Sequence, residues 1–155
     1  MAKPDDKVYP APAAPPARQR VLVVDDNHVN RDLLRIRLER EDYLVQEAAN
    51  GELALEALRR EPFDLVLLDV MMPVLDGLET LQAIKGDPDL RDIPVIMVSA
   101  VGELDTVTRC MEEGADDYLT KPFNPIFLKA RVRGSLECRR LRELERRVAR
   151  DEQQE

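Results

Sequence analysis

Short apolar runs that end in polar residues constrain the fold of this 155-residue chain more than any other feature. Residues 21–24, 65–68 and 95–98 are rich in Val, Leu and Ile, and a shorter run of similar character ends at residue 120. Runs this short and this apolar are typical of strands buried on both faces of a parallel sheet. The runs are followed by residues able to do chemistry: Asp25 with Asp26, Asp69, Ser99, and Lys121.

Helix-compatible segments separate these runs, so that strand and helix alternate five times. We predict strands at residues 21–25, 44–48, 64–69, 94–99 and 117–120. We predict helices at residues 30–41, 52–60, 77–85 and 104–113, and a last helix that starts near Pro125. This alternation indicates an α/β fold with helices on both faces of a parallel sheet. The strands then end at one edge of the sheet, where the five polar side chains would meet.

Apolar stripes on two of these helices predict which of their residues enter the core. The stripe of the helix at residues 30–41 consists of Leu33, Leu34, Ile36 and Leu38. The stripe of the helix at residues 52–60 consists of Leu53, Ala54, Ala57 and Leu58.

The last predicted helix runs from about residue 126 to about residue 150, roughly twice the length that a packed helix of this fold needs. Leu141, Leu144 and Val148 repeat at intervals of three and four residues, which is the spacing of a coiled-coil seam. Two interpretations stay open: a solvated, charged helix, or a helix that dimerises or transmits a signal. We interpret its arginines as serving solubility and pairing within the helix, rather than nucleic-acid contact.

Composition narrows the class of protein. The formal charge of −8 argues against a general nucleic-acid-binding surface, and no apolar stretch reaches the roughly 18 residues of a membrane span. Cys110 and Cys138 lack metal-ligand spacing, so we expect reduced thiols in a cytoplasm. We expect a disordered leader rich in Pro and Ala at residues 1–18, one domain at 19–135, and an extended helix or short coiled coil at 136–155.

The acidic residues at the predicted sheet edge suit a divalent cation. Three carboxylates held close together repel one another unless a cation is present. Asp25, Asp26 and Asp69 offer the hard oxygen ligands that Mg²⁺ prefers. One oxygen of Asp69 would stay free as a nucleophile for a phosphoryl group. The Lys121 ammonium and the Ser99 hydroxyl would meet the developing charge.

The motifs that hold these residues resemble the receiver domain of two-component response regulators, of the chemotaxis-receiver type. The matching stretches are VDDN at residues 24–27, LDVMMPVLDG at 68–77, VSA at 98–100 and DYLTKPF at 117–123, in the order and spacing of that family. The resemblance covers about residues 20–135. It implies a flavodoxin-like, doubly wound sheet of five parallel strands in the order 2-1-3-4-5.

The resemblance also implies a role for each residue at the acidic end of the site. Asp69 would be the phospho-acceptor, with Asp25, Asp26 and the backbone carbonyl of Met71 holding Mg²⁺ beside it. Gly77 would permit the tight loop that follows Asp69.

Three further residues would sense the phosphoryl group. Ser99 would be the switch hydroxyl, and Lys121 would be the ion-pair partner, aimed into the site by a cis peptide bond to Pro122. Tyr118 would be the aromatic side chain that moves with Ser99. A half-buried core role for Tyr118 remains an alternative.

The resemblance implies a signalling module rather than a free-standing metabolic enzyme. Phosphate would come from a phospho-histidine on a sensor kinase or phosphotransfer protein in a bacterial-type cytoplasm, and hydrolysis by water would end the signal. The output would be a homodimer through the C-terminal helix or the helix from Leu104 to Glu113, a partner, or an output domain that is missing from this chain.

Several alternatives are less consistent with the sequence. A phosphatase of the haloacid dehalogenase type needs an acid two residues after the nucleophile, where this chain has Met71. A dinucleotide-binding oxidoreductase needs a Gly-rich loop after the first strand. A binding module that works unphosphorylated would have no need of the intact acidic site. His28, the only histidine, is expected to be an exposed residue at a loop or helix start.

Overall fold

The computed structural model describes residues 18–154, and its elements follow the predicted alternation. The strands are β1 (Arg20–Val24), β2 (Leu44–Ala48), β3 (Leu65–Asp69), β4 (Val95–Ser99) and β5 (Asp117–Thr120). The helices are α1 (His28–Arg40), α2 (Gly51–Arg60), α3 (Gly77–Gly86), α4 (Leu104–Glu112) and α5 (Pro125–Gln154). The predicted leader falls outside the described residues, apart from Arg18.

The strands form one parallel sheet in the order β2-β1-β3-β4-β5, which confirms the predicted flavodoxin-like fold. Every residue of β3 and β4 is buried, as both faces of the sheet are covered. One face packs on α2, α3 and α4, and the other packs on α1 and α5. The parallel direction brings the carboxyl ends of β1, β3, β4 and β5 to one edge.

The predicted stripe of α1 is wrong at two positions. Leu34 and Leu38 are buried, whereas Leu33 and Ile36 are exposed. Successive residues of a helix point about 100° apart, so a helix lying on a sheet buries a narrow stripe rather than every apolar residue. The helix also starts earlier than predicted, because the Asn27 side chain accepts the first free N–H groups of α1.

The stripe of α2 is wrong at one position for the same geometric reason. Leu53 is exposed, and Leu55 is buried in its place beside Ala54 and Leu58. Ala57 is partly buried against the same core. The buried residues of α2 therefore follow helical spacing more strictly than the sequence pattern predicted.

The 30-residue helix α5 is about 45 Å long, which confirms the predicted extension. Its first half buries Leu128, Val132 and Leu136 against the sheet. The interpretation that its arginines pair only within the helix is incomplete. Arg139 does pair with Glu143, but the arginines at 139, 142 and 146 also reach aspartates of the globular domain.

No helix within residues 18–154 combines the length and the apolar character that crossing a bilayer requires. Both cysteines are free thiols in helices, with Cys110 buried in α4 and Cys138 exposed on α5.

Candidate functional site

Four strand ends place the predicted site residues at one edge of the sheet. Asp69 is the last residue of the central strand β3, and Ser99 is the last residue of β4. Asp25 follows β1, and Lys121 follows β5. The backbone N–H of Lys121 donates to the carbonyl of Ser99 at 2.6 Å, which ties the end of β5 to that of β4. Residues that are far apart in sequence are therefore neighbours because neighbouring strands run in parallel.

Asp25, Asp26 and Asp69 form a compact acidic cluster. One carboxylate oxygen from each lies within 4.8 Å of the other two. Asp25 and Asp69 are only 1% and 5% exposed, whereas Asp26 is exposed. Because carboxylates this close and this buried repel one another, the donor set fits a hard divalent cation with access from the solvent side.

The loop that carries Asp25 and Asp26 is fixed by contacts that the sequence analysis missed. The Asn27 N–H donates to Oδ1 of Asp25 at 2.9 Å. The Arg31 guanidinium donates to the backbone carbonyl of Asp25 at 2.7 Å. Asn27 could have been found from its position, since Asn directly before an amphipathic run is a common helix cap.

Lys121 joins the acidic cluster through its ammonium group. Its Nζ lies 3.1 Å from Oδ2 of Asp25 and 3.3 Å from Oδ1 of Asp69. Burial alone would lower the pKa of Lys121, but the carboxylates of Asp25 and Asp69 outweigh it and raise the pKa above its ordinary value. Lys121 therefore stays charged, and it neutralises part of the cluster. The peptide bond between Lys121 and Pro122 is cis, as the resemblance implies.

The carboxyl group of Asp69 binds protons unusually well in the absence of a cation. Burial, followed by the charge of Asp25, raises its pKa from 3.8 to about 7, against the opposing effects of Lys121 and of the Met71 backbone N–H. A divalent cation in the acidic cluster would favour the ionised carboxylate. The site thus holds a carboxylate whose charge depends on what occupies the cluster.

The loop after Asp69 turns back tightly onto the end of β3. The N–H of Gly77 donates to the carbonyl of Val70 at 2.9 Å. A Cβ added to Gly77 would lie 2.3 Å from the carbonyl oxygen of Asp69 and 2.7 Å from Cα of Val70. The predicted need for glycine here therefore comes from close approach to backbone. Asp76 and Glu79 then start α3 with reciprocal side-chain-to-backbone hydrogen bonds.

The predicted switch residues lie on β4 and β5, beside the acidic cluster. Ser99 is almost fully buried. Tyr118 is partly buried against the core that includes α4, and the Arg131 guanidinium lies 5.7 Å from the centre of its ring. Arg131 also pairs with Asp117 at 2.7 Å. Arg131 was not expected from the sequence, because its partners are distant along the chain.

Two predicted residues lie at the margin of the site. The side chain of Met71 is exposed, and only the backbone carbonyl of this residue is expected to bind the cation. His28 is exposed at the first position of α1, as predicted.

Known proteins resemble this chain over the same region. The sequence profile described as response regulator receiver domain matches residues 21–133. The response regulator PleD of Caulobacter vibrioides is 43% identical over 114 residues, which make up 74% of this chain and 25% of PleD. The transcriptional regulatory protein ResD of Bacillus subtilis is 42% identical over 117 residues, or 76% of this chain and 48% of ResD.

A solved structure agrees with these sequence matches. The crystal structure of NtrX from Brucella abortus superposes with a TM-score of 0.80 at 30% identity, and the match covers 85% of this chain and 30% of NtrX. This chain therefore spans less than half the length of each of these three relatives.

Proposed function

We propose that this chain, which belongs to the response regulator receiver domain family, accepts a phosphoryl group on Asp69 from a phospho-histidine. The donor would be a sensor histidine kinase or a phosphotransfer protein. The observation that carries the proposal is the meeting of three carboxylates within 4.8 Å, with the Lys121 ammonium 3.3 Å from Asp69. A nucleophile, a cation site and a fixed positive charge are together the components that phosphoryl transfer needs.

Mg²⁺ is the cation we propose for the acidic cluster. Asp25, Asp26, Asp69 and the backbone carbonyl of Met71 would hold it, and bound Mg²⁺ would offset the negative charge of the carboxylates and of the phosphoryl oxygens. The donor set contains oxygen only, which suits Mg²⁺ better than a softer metal.

Asp69 supplies the nucleophile. One of its carboxylate oxygens attacks the phosphorus and forms a P–O bond, while the P–N bond to the donor histidine breaks and its electron pair stays on the imidazole. Lys121 pairs with the transferred group, and the Ser99 hydroxyl donates a hydrogen bond to a phosphoryl oxygen. Attack by water later releases phosphate and restores the carboxylate. The chain is thus a receiver that modifies itself rather than an enzyme that turns over a metabolite.

Phosphorylation would reach the outside of the domain through Ser99 and Tyr118. Movement of Ser99 toward the phosphoryl group would draw Tyr118 inward and change the face formed by α4, β5 and α5. We propose residues 19–135 as the receiver unit in a bacterial-type cytoplasm and residues 136–155 as its output helix. That helix would control a partner, an output domain, or a homodimer formed through α5 or through α4.

Intact-mass measurement tests the phosphorylation directly. The protein is treated with acetyl phosphate and Mg²⁺, and we expect the mass of one added phosphoryl group. Asp69→Asn is the matched control, because it keeps the shape of the side chain and removes the nucleophile. Chelation of Mg²⁺ should also abolish the adduct. Equal labelling of the Asp69→Asn variant, or no labelling of wild type when a known receiver is labelled, would contradict the proposal.

A further inference from the structure

The second half of α5 is held against the globular domain by three arginines. Arg139 lies 3.5 Å from Asp64 and also donates to the carbonyl of Phe63 at 3.1 Å. Arg142 lies 3.4 Å from Asp116, and Arg146 lies 3.1 Å from Asp92. The three acids stand before the amino ends of β3, β5 and β4, at the edge of the sheet opposite Asp69: Asp64, Asp116 and Asp92.

This arginine contact fixes which side of α5 faces solvent. At about 100° per residue, the mean direction of the three arginines is roughly 160° around the helix from that of Leu141, Leu144 and Val148. These three apolar side chains are accordingly 50%, 45% and 56% exposed. The apolar stripe therefore lies on the side of α5 that faces away from the arginine contact.

Charged residues flank the apolar stripe in an ordered way. If Leu141 and Val148 take position a of a heptad and Leu144 takes position d, then position g holds Arg140 and Arg147. Position e holds Glu145 and Glu152, and the second position d holds Asp151, so the apolar stripe ends at Val148. The four residues at positions g and e are all exposed. One side of the stripe is therefore basic and the other side is acidic.

The charge order is complementary to a second copy in one orientation. In a parallel, in-register pair of helices, position g of one copy faces position e of the next heptad in the other copy. Arg140 would then face Glu145 of the second copy, and Arg147 would face Glu152 of the second copy. In an antiparallel pair, g faces g and e faces e, so that like charges would meet. The sequence therefore favours parallel pairing and disfavours the reverse.

We propose that residues 140–152 of α5 pair with the same segment of a second copy as a parallel, in-register, two-stranded coil. The role of this pairing in signalling rests on the homodimer proposed above. The pairing itself needs no phosphoryl group. A helix segment this short is marginal on its own. Because the segment continues a helix whose first half is packed against the sheet, it is helical before it meets its partner.

Charge reversal tests the proposed order of charges. The double variant Arg140→Glu, Arg147→Glu places like charges at both g–e contacts, and so does the double variant Glu145→Arg, Glu152→Arg. We expect each variant alone to be monomeric in sedimentation at concentrations where wild type dimerises. A mixture of the two should form a heterodimer, since every g–e contact is then between opposite charges. A wild type that stays monomeric, a charge-reversed variant that dimerises as well as wild type, or a mixture of the two variants that stays monomeric would overturn the proposal.

Cysteine crosslinking tests the orientation. Cys138→Ser removes the exposed native thiol, and Leu141→Cys or Val148→Cys is then introduced separately. We expect each single variant to form a disulfide with itself, while Ala149→Cys, which is also exposed but lies off the apolar stripe, should not. A disulfide that forms only when the 141 and 148 variants are mixed would indicate antiparallel pairing and overturn the proposal. So would crosslinking no greater than that of Ala149→Cys.

These results can be separated from those on phosphorylation. The charged residues and the stripe lie far along α5 from Asp69, so labelling by acetyl phosphate reports on the acidic site alone. A dimer that cannot be phosphorylated would contradict the proposed function and leave the pairing intact, and a phosphorylated monomer would do the reverse.

Discussion

Replacement of Gly77 by alanine should weaken the fold at the loop that follows Asp69. The added Cβ would lie 2.3 Å from the carbonyl oxygen of Asp69, 2.7 Å from Cα of Val70 and 2.8 Å from the carbonyl oxygen of Val70. Ordinary contact between such atoms needs about 3.5 Å, so the backbone must shift by roughly 1 Å. Overpacking of this kind costs about 1–3 kcal/mol, and contact with backbone rather than a flexible side chain places Gly77 near the upper end.

Alanine also has a favourable effect that reduces the loss. It lowers the entropy of the unfolded chain and favours the helix, by about 0.5–1 kcal/mol relative to glycine. We therefore expect the free energy of unfolding of Gly77→Ala to fall by about 2 kcal/mol, measured by urea denaturation without divalent cations. Because the shift moves the backbone of Asp69 itself, we also expect slower labelling by acetyl phosphate.

Gly86→Ala is the matched control. Gly86 is at the other end of the same helix, and a Cβ there would meet nothing within 4 Å. This variant should be neutral or more stable by up to about 1 kcal/mol. If Gly77→Ala proves as stable as Gly86→Ala, the close approach at the end of β3 does not constrain the site and our reasoning about the loop is wrong.

Three further perturbations address the electrostatics and the chemistry. The pKa of Asp69 is raised from 3.8 to about 7 on folding, so the folded state holds a proton that the unfolded state releases, and this contribution to stability is lost as pH rises from about 4 to about 7. Without divalent cations, the free energy of unfolding of Asp69→Asn should therefore rise relative to that of wild type between about pH 4 and about pH 7, by at most about 4 kcal/mol. Urea denaturation of both proteins at the two pH values measures this, and a difference that stays constant would contradict it. Lys85 donates to the carbonyls of Arg91 and Ile93 at 3.0 and 3.1 Å, so Lys85→Met should lose about 2 kcal/mol by the same assay, whereas an unchanged midpoint would show that water replaces the ammonium. The exposed side chains two residues beyond Asp69 and Ser99 are apolar, Met71 and Val101, so neither can position an attacking water by a hydrogen bond. We therefore expect the phosphoryl group to persist for minutes or longer after the donor is removed, and loss within seconds by mass spectrometry would refute this.

The strand ends were the part of the site that the sequence could predict. Asp69 and Ser99 each follow an uninterrupted apolar run, and a run buried on both faces has few alternatives to a central parallel strand. Once the strands are parallel, their ends must share an edge. The meeting of Lys121 with Asp25 and Asp69 follows from that topology.

Packing on individual helix faces could not be predicted as well. Leu33 and Ile36 of α1 are as apolar as Leu34 and Leu38, and only the position of the helix on the sheet decides which pair is buried. Composition gives the apolar character of such a helix, while tertiary contact sets the angle at which it lies.

Contacts between charged residues on distant segments were the hardest to predict. Arg139 and Arg146 are flanked by glutamates in the sequence, so pairing within the helix is the local expectation. Their contacts with Asp64 and Asp92 depend on where α5 passes beneath the sheet. An exposed arginine can reach several acids at similar free energy, and the choice is made by the fold.

Borohydride trapping locates the phosphoryl group most directly. Borohydride reduces an aspartyl phosphate to homoserine, which can be assigned to one residue by mass spectrometry of peptides. After treatment of the protein with acetyl phosphate and Mg²⁺, we predict homoserine at position 69 and unmodified aspartate at positions 25 and 26. Homoserine at position 25 or 26, or none at 69 in protein whose mass shows the adduct, would contradict the assignment of Asp69 as the phospho-acceptor.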